Sequence, residues 1–274
     1  MFESLSKTPP DAIIGMIALA KADKNSDKID LGVGIYQDDH GATPVMRAVK
    51  AAERSWLEAE DSKKYIGIHG NPHFNQLFSE LVLGTDHPVL GSGRLALAQA
   101  AGGSGALRLG SEILKLANPK ATVWISTPTW ANHSPLIGAA GLPIKQYPYY
   151  DHDSQAVDFD GMCAALRSDA KAGDAVLLHG SCHNPTGADL TPNQWEALGD
   201  LMKEKNLLPF VDIAYMGLGD GLDADAFGLR HLAGRFDEMI MAVSCSKNFG
   251  LYRERIGMVG IIAKTDEAAD LARG

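Results

Sequence analysis

Short apolar runs alternate with longer amphipathic stretches through most of the 274 residues. The runs fall at 122–126 (TVWIS), 144–150, 175–179 (AVLLH), 208–212 (LPFVD), 239–244 and 256–263, each of strand length and followed by polar or turn-forming residues. Between and after them, 105–117, 158–167, 191–205, 224–233 and 266–273 repeat their apolar positions at helical spacing, and Thr191 before Pro192 reads as a helix start. This alternation predicts an α/β domain with a mostly parallel sheet flanked by helices. In such a sheet ligands bind beyond the carboxyl ends of the strands, so the polar residues just after each run are where chemistry is sought. The stretch before Gly41 reads differently: a proline-containing arm, a helix near 12–22, then LGVGIY at 31–36. No internal repeat or low-complexity linker interrupts the chain.

Composition narrows the classes. With 45% hydrophobic and 22% charged residues the chain is ordinary globular protein rather than disordered or fibrous. A net charge of -9, spread along the sequence, argues against nucleic acid as a partner. The three cysteines, Cys163, Cys182 and Cys245, are odd in number and sit in apolar or loop contexts, which suggests no disulfide framework and a reducing cytoplasm. The opening MFESLSKTPPD lacks a basic start followed by an apolar stretch, and no run approaches the ~18 apolar residues of a membrane span. No membrane partner is expected.

Candidate chemistry lies at the run ends. After 239–244 comes Ser244-Cys245-Ser246-Lys247-Asn248-Phe249-Gly250, an amine beside small hydroxyls and ahead of a glycine turn. A partly desolvated lysine has a lowered pKa and forms Schiff bases with aldehydes, although a solvated surface lysine would read the same in isolation. Asp212 and Tyr215 place a carboxylate and a phenol three residues apart after another run. A carboxylate keeps a pyridine nitrogen protonated and a phenol hydrogen-bonds a ring oxygen, whereas the plainer reading of Asp212 is a turn residue. In HGSCHNPTG at 179–187, Pro185 restricts Asn184 to an extended backbone, and the Asn184 amide is free to donate. A metal site at His179, Cys182 and His183 is disfavoured, because their spacing does not put them on one strand face; no metal is expected. Gly102, Gly103, Ser104 and Gly105 precede a helical stretch whose free N–H groups suit a phosphate, or form an ordinary capped turn. Arg255 offers that phosphate a bidentate cation, or pairs on the surface. Trp130 presents a flat face for a planar ring, or packs at the core's rim. No GxxxxGK[ST], GxGxxG or GxSxG motif is present.

Together, SCSKNFGLYRERIG, HGSCHNPTG, DIAY, AGGSGALR, TPTWANH and KKYIGIHG resemble the motifs of the aspartate and aromatic aminotransferases, in that family's order and over essentially the whole chain. The resemblance implies a fold type I enzyme dependent on pyridoxal phosphate (PLP), with a seven-stranded, mostly parallel sheet, and a homodimer. Residues 43–274 would form the PLP-binding large domain, and residues 1–42 the N-terminal arm and part of a small domain. Lys247 would carry the cofactor as a Schiff base and later move the substrate proton. Asp212 would bind the pyridinium nitrogen, and Tyr215 with Asn184 the ring oxygen. Trp130 would stack on the ring, with His133 and His183 behind it. Gly103, Ser104, Ser244 and Arg255 would hold the phosphate, joined by Tyr65 of the neighbouring subunit. Gly34 would line the substrate carboxylate site, together with Trp130 and Asn184. The implied reaction moves an amino group between aspartate or an aromatic amino acid and 2-oxoglutarate. A β-lyase, a decarboxylase and a non-catalytic PLP-binding domain are the alternatives. The family continues well beyond residue 274 through a linking helix and the rest of the small domain, including the arginine that grips the substrate α-carboxylate. The expectation is therefore a C-terminally truncated chain, holding the cofactor machinery but turning over weakly, with apolar surface uncovered around 12–36.

Overall fold

A computed structural model describes residues 2–4, 12–29 and 34–274, without the side chains at 4, 12–14 and 17. The rest of the N-terminal arm and the first half of LGVGIY lie outside the described residues. The chain divides into two compact units, Met1–Val45 and Met46–Gly274. In the first, a short 3-10 turn at Phe2–Ser4 precedes α1 (Ala12–Ala22), as the spacing near 12–22 predicts. Met16 and Leu19 of α1 are exposed. Lys28 Nζ donates to the Ala20 and Asp23 carbonyls and ties the segment after α1 back to its end.

The second unit opens with α2 (Arg47–Ala59) and α3 (Pro72–Leu83). Then follow β1 (Leu95–Ala101), α4 (Gly102–Ala117), β2 (Val123–Thr127), α5 (His133–Gly138) and β3 (Ile144–Pro148). A two-residue pair, β4 (Tyr150–Asp151) and β5 (Ala156–Val157), leads to α6 (Phe159–Asp169), β6 (Ala175–His179), α7 (Pro192–Glu204) and β7 (Leu208–Ile213). Last come α8 (Leu222–Asp225), α9 (Phe227–Arg235), β8 (Met239–Ser244), β9 (Ile256–Ile262) and α10 (Asp266–Arg273).

Seven strands form one sheet in the order β1-β9-β8-β7-β6-β2-β3. All neighbours are parallel except at β9, which is antiparallel to both β1 and β8. Consecutive residues face opposite sides, as strand geometry requires. Trp124, Leu178, Val211 and Met241 pack into one apolar cluster with α6, α7 and α9. Val123, Leu177, Phe210 and Ile240 pack into another under α4 and α5. Both faces are covered, which is why these runs read as continuously apolar rather than alternating.

The elements depart from the periodicity at several places. The run at 144–150 stops at Pro148, which cannot donate to a ladder, and Tyr150 pairs separately with Val157. The helix at 224–233 is two helices broken at Ala226; the Asp225 carboxylate gathers the N–H groups of Gly217, Gly219 and Asp220 there and fixes the preceding loop. Helix α4 begins at Gly102, so the glycines form its first turn instead of preceding it. Helix α7 starts as predicted, with Thr191 and Gln194 capping each other's backbone. The runs at 95–101, 47–59, 72–83 and 133–138 had no counterpart in the pattern.

Candidate active site

Strands β6, β7 and β8 run side by side, and their carboxyl ends open with the first turn of α4 onto a cavity of about 280 Å³. Register brings the chemistry together: His179, the last residue of β6, lies opposite Asp212 of β7, which in turn lies opposite Ala242 of β8. Tyr215 follows from β7 and Lys247 from β8, and both line the cavity with Asp212. Lys247 Nζ sits 5.3 Å from the centroid of the Tyr215 ring. Burial holds the Lys247 ammonium below the usual lysine range; Arg255 pushes the same way and Asp212 opposes. Burial also raises the Tyr215 phenol, with the Asp212 charge adding to it.

Asp212 is held from behind by a chain of hydrogen bonds whose direction is fixed at one end. The backbone N–H of Asn184 donates to Nδ1 of His179 at 3.3 Å, so the ring proton of His179 is on Nε2. That nitrogen donates to Thr129 Oγ1 at 3.1 Å, and the Thr129 hydroxyl donates to Nδ1 of His133 at 2.7 Å. Nε2–H of His133 is then left to donate to Asp212 Oδ2 at 2.9 Å. This assignment follows from the bonding pattern, because a backbone N–H can only donate. The His133 side chain is fully buried and that of Asp212 is 12% exposed, so the bond is shielded from water. Burial pushes His179 well below its ordinary pKa and His183 down to about 4, with the neighbouring imidazoles adding in each case.

The opposite end of the cavity is an anion cradle. Helix α4 starts at Gly102 with its first N–H groups unpaired within the helix. The Arg255 guanidinium rests against this turn: a Cβ on Gly102, whose φ is +69°, would lie 2.6 Å from Arg255 Nη2. Arg255 Nη1 donates to Ser246 Oγ at 3.2 Å, and Ser244 Oγ accepts from the Ser246 N–H at 3.1 Å. A Cβ on Gly103 would meet Ser244 Cβ at 3.1 Å. A helix terminus, a guanidinium and two hydroxyls around side-chain-free backbone fit a phosphate.

Of the residues singled out in the sequence, Gly103, Ser104, Trp130, Asn184, Asp212, Tyr215, Ser244, Lys247 and Arg255 all line this cavity. The Asn184–Pro185 peptide is cis, and Asn184 opens the turn at 184–186. His133 bonds Asp212, as the resemblance implies. His183 does not reach Asp212: it is buried between Ser126 and Thr186 and stacks on Tyr149 at 3.9 Å. Tyr65 is fully exposed and Gly34 belongs to the first unit. Sequence reasoning missed Asn132, His179, Ser181, Ala214 and Ser246 as lining residues, and Thr129 as the link between two imidazoles. All of them stood inside motifs quoted above, but the role of Thr129 exists only once β2 and β6 are neighbours. Among the described residues no group of histidine, cysteine, aspartate or glutamate is arranged to hold a metal. No helix among them is long and apolar enough to cross a membrane.

A doubly covered, mostly parallel sheet that presents a lysine, a buttressed carboxylate and an anion cradle at its carboxyl edge defines an α/β protein with a candidate site for a phosphorylated ligand. The profile of aminotransferase class I and II matches residues 26–273, and the chain belongs to that family. It is 46% identical to an aromatic-amino-acid aminotransferase of Paracoccus denitrificans, over 100% of this chain and 68% of that protein. It is 44% identical to an aspartate aminotransferase of Escherichia coli K12, over 99% of this chain and 68% of that protein. A solved aromatic-amino-acid aminotransferase from Burkholderia pseudomallei, described as covalently bound to pyridoxal phosphate, superposes with a TM-score of 0.96 at 40% identity, covering 100% of this chain and 68% of that one.

Proposed function

We propose that this aminotransferase holds PLP on Lys247 and moves an amino group between aspartate or an aromatic amino acid and a 2-oxo acid such as 2-oxoglutarate, as a cytoplasmic homodimer. The observation that carries the reading is the single cavity with the desolvated Lys247 amine, the Asp212 carboxylate and the α4–Arg255 cradle around it. Bound PLP supplies an aldehyde carbon and a ring that accepts electron density. Asp212, bonded by His133, keeps the ring nitrogen protonated. Tyr215 and Asn184 face the ring oxygen, and Trp130 covers the ring. Gly103, Ser104, Ser244 and Arg255 hold the phosphate. Once the substrate amine has displaced it from the aldehyde carbon, Lys247 Nζ, its proton affinity lowered by burial, would take the proton from the substrate Cα and deliver it to that carbon on the other side of the nitrogen. The names of the relatives support the amino-acid classes. The dimer is supported by α2, which buries none of its residues, and by Tyr65, which stands in solvent where a second subunit's phosphate could meet it.

The test is covalent capture. The chain is incubated with PLP, reduced with borohydride and mapped by mass; the adduct is expected on Lys247 and absent from Lys247→Ala. An adduct on another lysine, or none on the unsubstituted chain, would refute the assignment.

A further inference from the structure

The cavity contains a buried polar side chain that neither the fold nor the proposed cofactor contacts use. Ser181 lies in the turn after β6 and lines the cavity, is 6% exposed, and its Oγ is sealed from solvent without a hydrogen-bond partner. The one acceptor within its reach is the adjacent Cys182 sulfur, which offers it only a weak contact. Burial, with Asp189 next, drives that thiol up to about 11, so it stays a protonated, poor acceptor. Buried hydroxyls are nearly always paired, and one left unpaired costs the fold stability. The backbone around it is fixed: the Gly180 N–H donates to the Asp212 carbonyl at 2.7 Å, a Cβ on Gly180 would meet Ile213 Cβ at 3.0 Å, and the Asp189 carboxylate accepts from the N–H groups of Cys182 and His183. Ser181 therefore cannot leave the cavity wall, but its hydroxyl can step between rotamers about χ1.

We propose that Ser181 is a further cofactor-binding residue, whose hydroxyl turns into the cavity and hydrogen-bonds a polar atom of the bound ring system. This rests on the PLP reading above. It explains why a hydroxyl is kept where the ligand-free fold gains nothing from it, on the turn that also presents Asn184.

The two roles open to a buried serine predict opposite signs, so two measurements on the full chain decide. Removing an unpartnered hydroxyl should leave the melting temperature of the PLP-free Ser181→Ala chain unchanged or raised. Removing a ligand contact should weaken PLP binding, followed by fluorescence quenching, by roughly 3- to 10-fold, the worth of one hydrogen bond. Ser181→Cys, close in volume but a weak donor, should lose affinity similarly, whereas Ser181→Thr, which keeps the hydroxyl, should recover most of it. Unchanged PLP affinity in Ser181→Ala, or a lowered melting temperature of its PLP-free form, would overturn the inference. Failure of the unsubstituted chain to bind PLP would instead overturn the cofactor reading itself.

Discussion

His183 shows how a single buried imidazole couples this fold to pH. Its ring is 2% exposed, bonded at both nitrogens to hydroxyls, and burial lowers its pKa from 6.5 to about 4. The unfolded chain binds a proton at this site below pH 6.5 that the folded chain refuses until about pH 4. The stabilisation is thus fully present above pH 6.5, declines as pH falls through that window, and levels off below about 4. The gap corresponds to roughly 3 kcal/mol. Denaturant midpoints should fall between pH 6.5 and 4, and the fall should be shallower in His183→Gln; equal slopes in the two proteins would contradict it. His179, lowered in the same direction, adds to the effect. At this scale the sequence was legible where a residue's role is carried by its own chemistry, as for Lys247 and Asp212. It was not legible for Thr129 or Ser181, hydroxyls whose meaning depends on which nitrogen lies opposite or on there being none.

Among the elements, α4 carries close packing that can be tested. It crosses β7 and β8 at Gly110, where a Cβ would approach Ile240 Cγ2 to 2.8 Å and Phe210 Cζ to 3.0 Å. Alanine is the better helix former by about 1 kcal/mol, but overpacking a closed core costs about 1–3 kcal/mol. Gly110→Ala should therefore destabilise the chain in urea titrations despite its propensity, and a stabilised variant would show that the helix can move off the sheet. The same steric economy explains what the pattern hid. Glycines at 102–105 read as a turn because they are poor helix formers, yet their bare backbone is what lets Arg255 and Ser244 come close. Strand β1 reads LALAQAA, mostly small residues with a single Gln, and lies only partly buried at the edge of the sheet. Helix α2 buries nothing among the described residues, although Val49, Ala52, Trp56 and Ala59 recur at helical spacing.

At the scale of the molecule, the exposed residues Trp56, Leu57, Tyr65, Ile66 and Ile68 fall within one stretch of the second unit's opening segment. Exposed apolar side chains of this kind support the proposed contact with a second subunit. Sedimentation at micromolar concentration should report a dimer, and Trp56→Glu with Ile68→Asp should shift it toward monomer; a monomeric unsubstituted chain would sink the homodimer. The sheet as a whole was legible as α/β from its alternation, and its seven strands from the resemblance. The reversed strand was not, since nothing local in 256–263 distinguishes antiparallel from parallel pairing. That reversal also sets a schedule. Strand β1 pairs with β9 alone, Leu95 opposite Ile262 and Ala101 opposite Ile256. On a ribosome adding roughly 5–20 residues per second, on the order of ten seconds or more pass between the emergence of the two. Through that interval the nascent chain carries an unmated strand beside the half-built phosphate cradle, so a strand made much later completes the wall behind β1.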